Sequence, residues 1–243
     1  MKNLLVFLLA LAVVIRALAG CSAQLQPIDV LPGCPEMPLR GPEEFASSPP
    51  ETMIDDFEDG SMMLTQVGGR DGTWVDSLGP TPAPGAMVSF EASTRCVARG
   101  TRSGHLRSVA NSPYAASWTA FMMNQATPTT FNARAYSGFS FWIARGETAV
   151  PPFETPIGVT TADTAPAFGV CQINGCGDYY AIRTRIPLTT TWTRWTVPFS
   201  DLAQYGFGSP LVPLAKDRMV GIIIWPEPQS DIWIDDLRFE FEP

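Results

Sequence analysis

The 243-residue chain carries 16 Lys and Arg against 24 Asp and Glu, a net charge of −8. Affinity for nucleic acid comes largely from basic side chains that displace counterions, so this balance excludes nucleic acid and other polyanions and favours neutral ligands or divalent cations. The 23 prolines and 20 glycines exclude an architecture of long helices and favour short strands joined by turns.

Met1, Lys2 and Asn3 form a short positive n-region, and Leu4 to Ile15 an unbroken apolar run, shorter than the roughly 20 residues of a spanning helix. Ala19 and Gly20 then precede Cys21, so residues 1–20 read as an export signal with its cleavage site. Leu18-Ala19-Gly20-Cys21 resembles the bacterial lipobox. That resemblance implies a thioether diacylglycerol on Cys21, cleavage before it and N-acylation. Two or three acyl chains hold a protein stably on a membrane, whereas one is marginal. Ser22, not Asp, follows the cysteine, so no inner-membrane retention signal is present, and the expected location is the cell envelope at the outer membrane. Removing Lys2 and Arg16 with the signal leaves 14 basic against 24 acidic residues, a net charge of −10.

Residues 21–51 form the next unit. Pro27, Pro32, Pro35, Pro38, Pro42, Pro49 and Pro50 make it an extended tether, and Cys34 marks a part pinned to the domain that follows. From residue 52 to 243 the texture changes to short apolar or alternating runs. The spacing predicts strands at Met53–Phe57, Gly72–Val75, Ala86–Phe90, His105–Val109, Trp118–Met123, Phe139–Ala144, Pro156–Thr160, Ala167–Cys171, Tyr180–Ile186, Thr193–Pro198, Met219–Trp225 and Asp231–Phe241. One helical turn is expected at Ser200–Gln204, with Ser200 as its cap. A dozen short strands and almost no helix define an all-β sandwich or barrel.

With Cys21 acylated, four cysteines remain, and an even number in an exported chain points to disulfides. Asn174-Gly175 is a tight-turn signal between Cys171 and Cys176, which pairs those two and leaves Cys34 for Cys96. Zinc is disfavoured by the cysteine spacing and by the single histidine, His105.

Two acidic clusters bracket the domain, Asp55-Asp56-Phe57-Glu58-Asp59 at its start and Asp231, Asp235 and Asp236 on its last strand. In a strand Asp56 and Glu58 share one side, opposite Phe57. Termini often lie close together, and if these strands are neighbours the clustered carboxylates suit Ca²⁺. No twelve-residue EF-hand loop is present.

The same segments carry a family resemblance. Ile54-Asp55-Asp56-Phe57-Glu58-Asp59-Gly60, Tyr136-Ser137-Gly138-Phe139-Ser140-Phe141-Trp142, the stretch from Trp192 to Leu202 with Gln204-Tyr205-Gly206-Phe207-Gly208 close behind, and Ile232-Trp233-Ile234-Asp235-Asp236-Leu237-Arg238-Phe239 occur in the order of galactose-binding-fold, carbohydrate-binding-module-like domains. The flavour is that of family 11 and related modules, over residues 52–241. The resemblance implies a two-sheet antiparallel jelly-roll sandwich, a structural calcium held by Asp56, Glu58, Asp235 and Asp236, and one sheet that binds polysaccharide through aromatics.

Sugars present C–H faces to aromatic rings and hydroxyls to polar edges. Trp74, with Arg70 and Asp76 in the glycine-rich segment 68–76, forms one candidate patch, and Tyr179 with Tyr180 a second. Trp142, Trp192 and Trp195 read as structural. His105, alone in a strand, reads as packing or surface rather than as a base, and no nucleophile elbow, phosphate loop or metalloprotease helix is present. The expected function is a non-catalytic, glycan-binding envelope lipoprotein. The alternatives are an envelope structural module that binds a protein partner, and a two-carboxylate glycoside hydrolase. Cys21→Ser is expected to abolish labelling by a fatty-acid probe and to release the protein from the membrane fraction.

Overall fold

A computed structural model describes residues 33–37, 49–78, 84–109, 116–123, 129–168, 170–171, 176–208, 213–225 and 227–241. The expected export signal, Cys21 and most of the expected tether lie outside these residues, which belong to the compact unit Leu31–Pro243.

Among the described residues there are fourteen strands and no α-helix: β1 Met53–Asp55, β2 Trp74–Leu78, β3 Met87–Ser93, β4 Ser103–Val109, β5 Ala116–Phe121, β6 Tyr136–Arg145, β7 Glu154–Thr155, β8 Ile157–Thr161, β9 Tyr180–Ile182, β10 Ile186–Pro187, β11 Thr193–Pro198, β12 Leu202–Ala203, β13 Met219–Ile224 and β14 Gln229–Phe241. One sheet runs β11-β6-β14-β4-β3, with β1 also paired to β14; the second runs β12-β9-β8-β13-β5-β2; β7 and β10 pair separately. All of these strand pairs are antiparallel, giving the expected two-sheet jelly roll.

Period-2 alternation explains the layering. In the second sheet Trp74, Ala120, Ile222, Val159 and Tyr180 are register partners across five strands, and all are buried. The first sheet answers with rows such as Phe90–Leu106–Ile232 and Phe239–Phe139–Val197, and the two sets form one core. The outer face of the first sheet holds a second cluster of Trp142, Trp192, Trp233, Ala98, Ala144 and Cys96, with Cys34 and Met37 packed on it. Glu36 exchanges backbone hydrogen bonds with Thr190 and Trp192, at 2.7 and 2.8 Å. The Cys34–Cys96 bond fastens residues 33–37 to the sheet. Closing a loop with a sequence separation of 62 stabilises by about 4 kcal/mol in the chain-entropy account. His105 lies flat on Trp233, with ring centroids 3.8 Å apart. Its nitrogens lie 3.1 Å from Glu91 and 2.8 Å from Asp231, so it is a packing residue.

Local structure departs from the expectations at several points; the strand expected over Tyr180–Ile186, for one, is broken into β9 and β10, and β10 pairs with β7. Pro166–Phe168 is a 3₁₀ turn, so the strand expected at Ala167–Cys171 does not start there. Phe199–Asp201 is also a 3₁₀ turn, without a side-chain cap, and β12 follows it at once. Strand β1 ends at Asp55 because Phe57 adopts a φ of 60°. That turn drops Phe57 into the core and breaks the alternation on which Asp56 and Glu58 were expected to share a side.

The Phe57 turn is held by Asp55, which accepts from the Phe57 amide at 2.8 Å and from the Trp74 indole N–H at 2.6 Å. Burial pushes the Asp55 carboxyl up to about 8, against the pull of those two bonds. Trp74→Phe keeps the ring but removes the donor. It is expected to cost about 1–3 kcal/mol and to lower the melting temperature by about 3–10 °C in thermal unfolding.

Candidate functional site

Of the four large sheet faces, two meet in the core and one lies under residues 33–37. The remaining face belongs to the second sheet. Val75, Thr119, Ile223, Gly158, Ala181 and Ala203 are register partners in a single row across all six of its strands. They alternate with the core row and so point outward. The small residues Gly158, Ala181 and Ala203 lie on the β8, β9 and β12 half of the row, and Thr119, Ile223 and Ala181 are buried. At Gly158 a Cβ would sit 2.2 Å from the Tyr180 carbonyl oxygen, so the close approach of β9 to β8 excludes any side chain there.

Two recesses lie on this face. One, of about 270 Å³, is lined by Val75, Ser77, Ser117, Thr119, Thr160 and Ile223 among others, with Ala165–Phe168 as a wall. The other, of about 510 Å³, is lined by Gly177, Tyr179, Tyr205, Phe207 and Trp225. Tyr179 lines both. Its ring stacks on Trp225 with centroids 5.7 Å apart, and burial pushes its phenol up, so it remains a neutral hydroxyl that can donate or accept. One recess thus mixes Ser and Thr hydroxyls with apolar side chains such as Phe121, Phe168 and Val220, and the other is walled by aromatics. Neither is lined by a charged side chain among the described residues.

The aromatic wall is built on a buried acid. Asp178 is fully buried and accepts from the amides of Tyr205, Gly206 and Gly208 at 2.8, 2.8 and 3.1 Å. Its own carbonyl accepts from the Gln204 side chain at 2.7 Å. Gly206 supplies the positive φ of 93° that this wrap requires. The loop is therefore wound around one carboxylate and directs Tyr205 (48 % exposed) and Phe207 (67 % exposed) outward.

Of the residues expected to bind ligand, Tyr179 alone lines the face. Trp74 and Tyr180 belong to the core row, and the Tyr180 phenol is pushed up to about 12 by burial and then by the charges of Asp163 and Asp178. Arg70 is 2 % exposed, bonded to the carbonyls of Glu51 and Met53 and set over Phe131 and Phe239. It closes the end of the sandwich instead of meeting solvent. Asp76 is half-buried opposite Trp118. Alternation explains these corrections: Trp74 and Tyr180 are one residue out of phase with the outward row.

The four expected calcium ligands are brought to one end of β14, since β1 pairs with it through Met53↔Arg238 and Asp55↔Leu237. They do not converge on a common point. Among the described residues no group of three or more Asp, Glu, His or Cys side chains is arranged to hold a metal ion. Asp56 accepts from the Glu58 amide and the Thr65 hydroxyl, while Glu58, Asp235 and Asp236 each have donors of their own. Both expected disulfides form, Cys34–Cys96 and Cys171–Cys176.

Tyr205, Phe207, Trp225 and Asp178 were not singled out for ligand binding from sequence. Trp225 was nevertheless legible, because alternation along Met219–Trp225 puts it on the face opposite Ile222 and Ile224. Asp178 had no local signal, because its partners lie 27 to 30 residues away.

No protein-family model matches the chain, and no curated protein sequence matches it. Among solved structures it is similar to the family 11 carbohydrate-binding module of a cellulosomal cellulase from Clostridium thermocellum, with 17 % identity over 81 % of this chain and 97 % of that one at a TM-score of 0.50. The same kind of module in complex with a β-1,3-1,4-mixed-linked tetrasaccharide gives 16 % identity over 80 % and 98 % at a TM-score of 0.52. The fold is therefore a carbohydrate-binding-module-like jelly roll.

Asp178→Ala leaves three amides without an acceptor. Hydrogen exchange at Tyr205, Gly206 and Gly208 is expected to accelerate by about 10- to 100-fold, while amides of β6 and β14 keep their protection.

Proposed function

We propose that this chain is a non-catalytic binder of neutral polysaccharide, held on the cell envelope by lipid on Cys21. The observation that carries the reading is the outward face of the second sheet, where an aromatic recess and a recess of mixed apolar and hydroxyl side chains share Tyr179. Rings there pack against the C–H faces of sugars, and Ser and Thr hydroxyls meet their polar edges. The lining carries no charge, and the mature chain's net charge of −10 repels acidic glycans, so the ligand is a neutral one.

The non-catalytic reading is supported by where the carboxylates lie. Glycoside hydrolysis needs two of them flanking the bond, and none lines either recess among the described residues. The buried carboxylate nearest the aromatic wall, Asp178, is engaged by backbone amides. The structural neighbours, themselves carbohydrate-binding modules, support binding as the role of the fold.

In pull-downs on insoluble polysaccharides and on glycan arrays, the full chain is expected to be retained by at least one neutral glycan. Tyr179→Ala and Trp225→Ala are each expected to weaken retention about 10- to 100-fold with the fold intact by circular dichroism. Folded protein that is retained by no member of a broad panel would transfer the function to a protein partner in the envelope.

A further inference from the structure

The resemblance implies a structural calcium where the first and last strands meet, and the donor chemistry at that place contradicts it. Segment 98–102 turns its N–H groups, not its carbonyls, toward the two carboxylates that face it. Asp235 Oδ2 accepts from the amides of Ala98 and Arg99 at 3.0 and 2.7 Å. Glu58 Oε1 accepts from the amides of Thr101 and Arg102 at 2.7 and 3.0 Å, and its Oε2 from the Thr101 hydroxyl at 2.6 Å. Calcium takes six to eight oxygen ligands, and N–H dipoles aimed at the same carboxylates repel a cation.

Positive charge comes from the chain itself. The Arg99 guanidinium lies 3.1 Å from Asp236 Oδ2, and Arg238 bonds the other oxygen. Gly100 makes the approach feasible: its φ is +67°, and a Cβ there would sit 2.1 Å from Glu58 Oε1. The segment is also fixed from outside, since Cys96 is bonded to Cys34 and its carbonyl accepts from Ser103 Oγ. We infer that Glu58, Asp235 and Asp236 close a metal-free clasp, in which the amides of residues 98–102 and the guanidinium of Arg99 do the work that a bound calcium would do.

The test is thermal unfolding of the full chain in EDTA and in millimolar CaCl₂. The wild type is expected to melt within about 1 °C in the two buffers, and Glu58→Gln to melt about 4–8 °C lower in both alike. Thr101→Val removes the hydroxyl that donates to Glu58 Oε2 while leaving the carboxylates in place, and serves if Glu58→Gln does not fold; it is expected to lower melting by about 2–4 °C, again equally in both buffers. A calcium-dependent rise in the wild type that is absent from Glu58→Gln would overturn the inference, as would a Thr101→Val variant that melts like the wild type in both buffers.

Discussion

Everything accessible on this domain is set by one constraint: each strand has two faces, and a sandwich can bury only one from each sheet in the common core. Alternation fixes that choice residue by residue. Trp74, Ala120, Ile222, Val159 and Tyr180 point inward together, so Val75, Thr119, Ile223, Gly158 and Ala181 must point outward together. The outer face of the first sheet is occupied by tryptophans and the fastened residues 33–37. The second sheet's outer face carries the two recesses that share Tyr179.

The chain then uses carboxylates in an unusual way for so acidic a protein. Several of them, from fully buried Asp178 to half-buried Glu58, serve as acceptors that organise backbone. Asp55 sets the turn at Phe57, Asp178 winds the aromatic loop, and Asp235 with Glu58 gathers the segment 98–102. Burying a carboxylate is costly without donors, which is visible in Asp235, pushed up to about 8 by burial and by the neighbouring Asp236 even with amide donors in place. Asp231 shows the opposite balance: burial pushes it up, but bonds from His105 and Thr148 outweigh that and hold it at about 2. These carboxylates are engaged by donors within the fold itself.

The Trp142–Trp192–Trp233 cluster under residues 33–37 is buried, with Cys34 and Met37 packed on it.

The sequence by itself determined the strand-rich class, most strand positions, both disulfides and the meeting of the first and last strands, because each rests on local patterning or on a small number of possible pairings. Tyr179 was legible for the same reason, as an aromatic beside a short disulfide loop. Only the tertiary structure decided the rest. Trp74 and Tyr180 were misplaced because phase within a strand depends on which neighbour supplies the core, a non-local fact. Arg70 was misplaced because its burial depends on Phe131 and Phe239, far along the chain. The acidic motifs look alike in sequence whether their oxygens meet a cation or an amide. The path of segment 98–102, with Gly100 in the left-handed region, turns N–H groups toward them, and no local pattern in the motifs encodes that path.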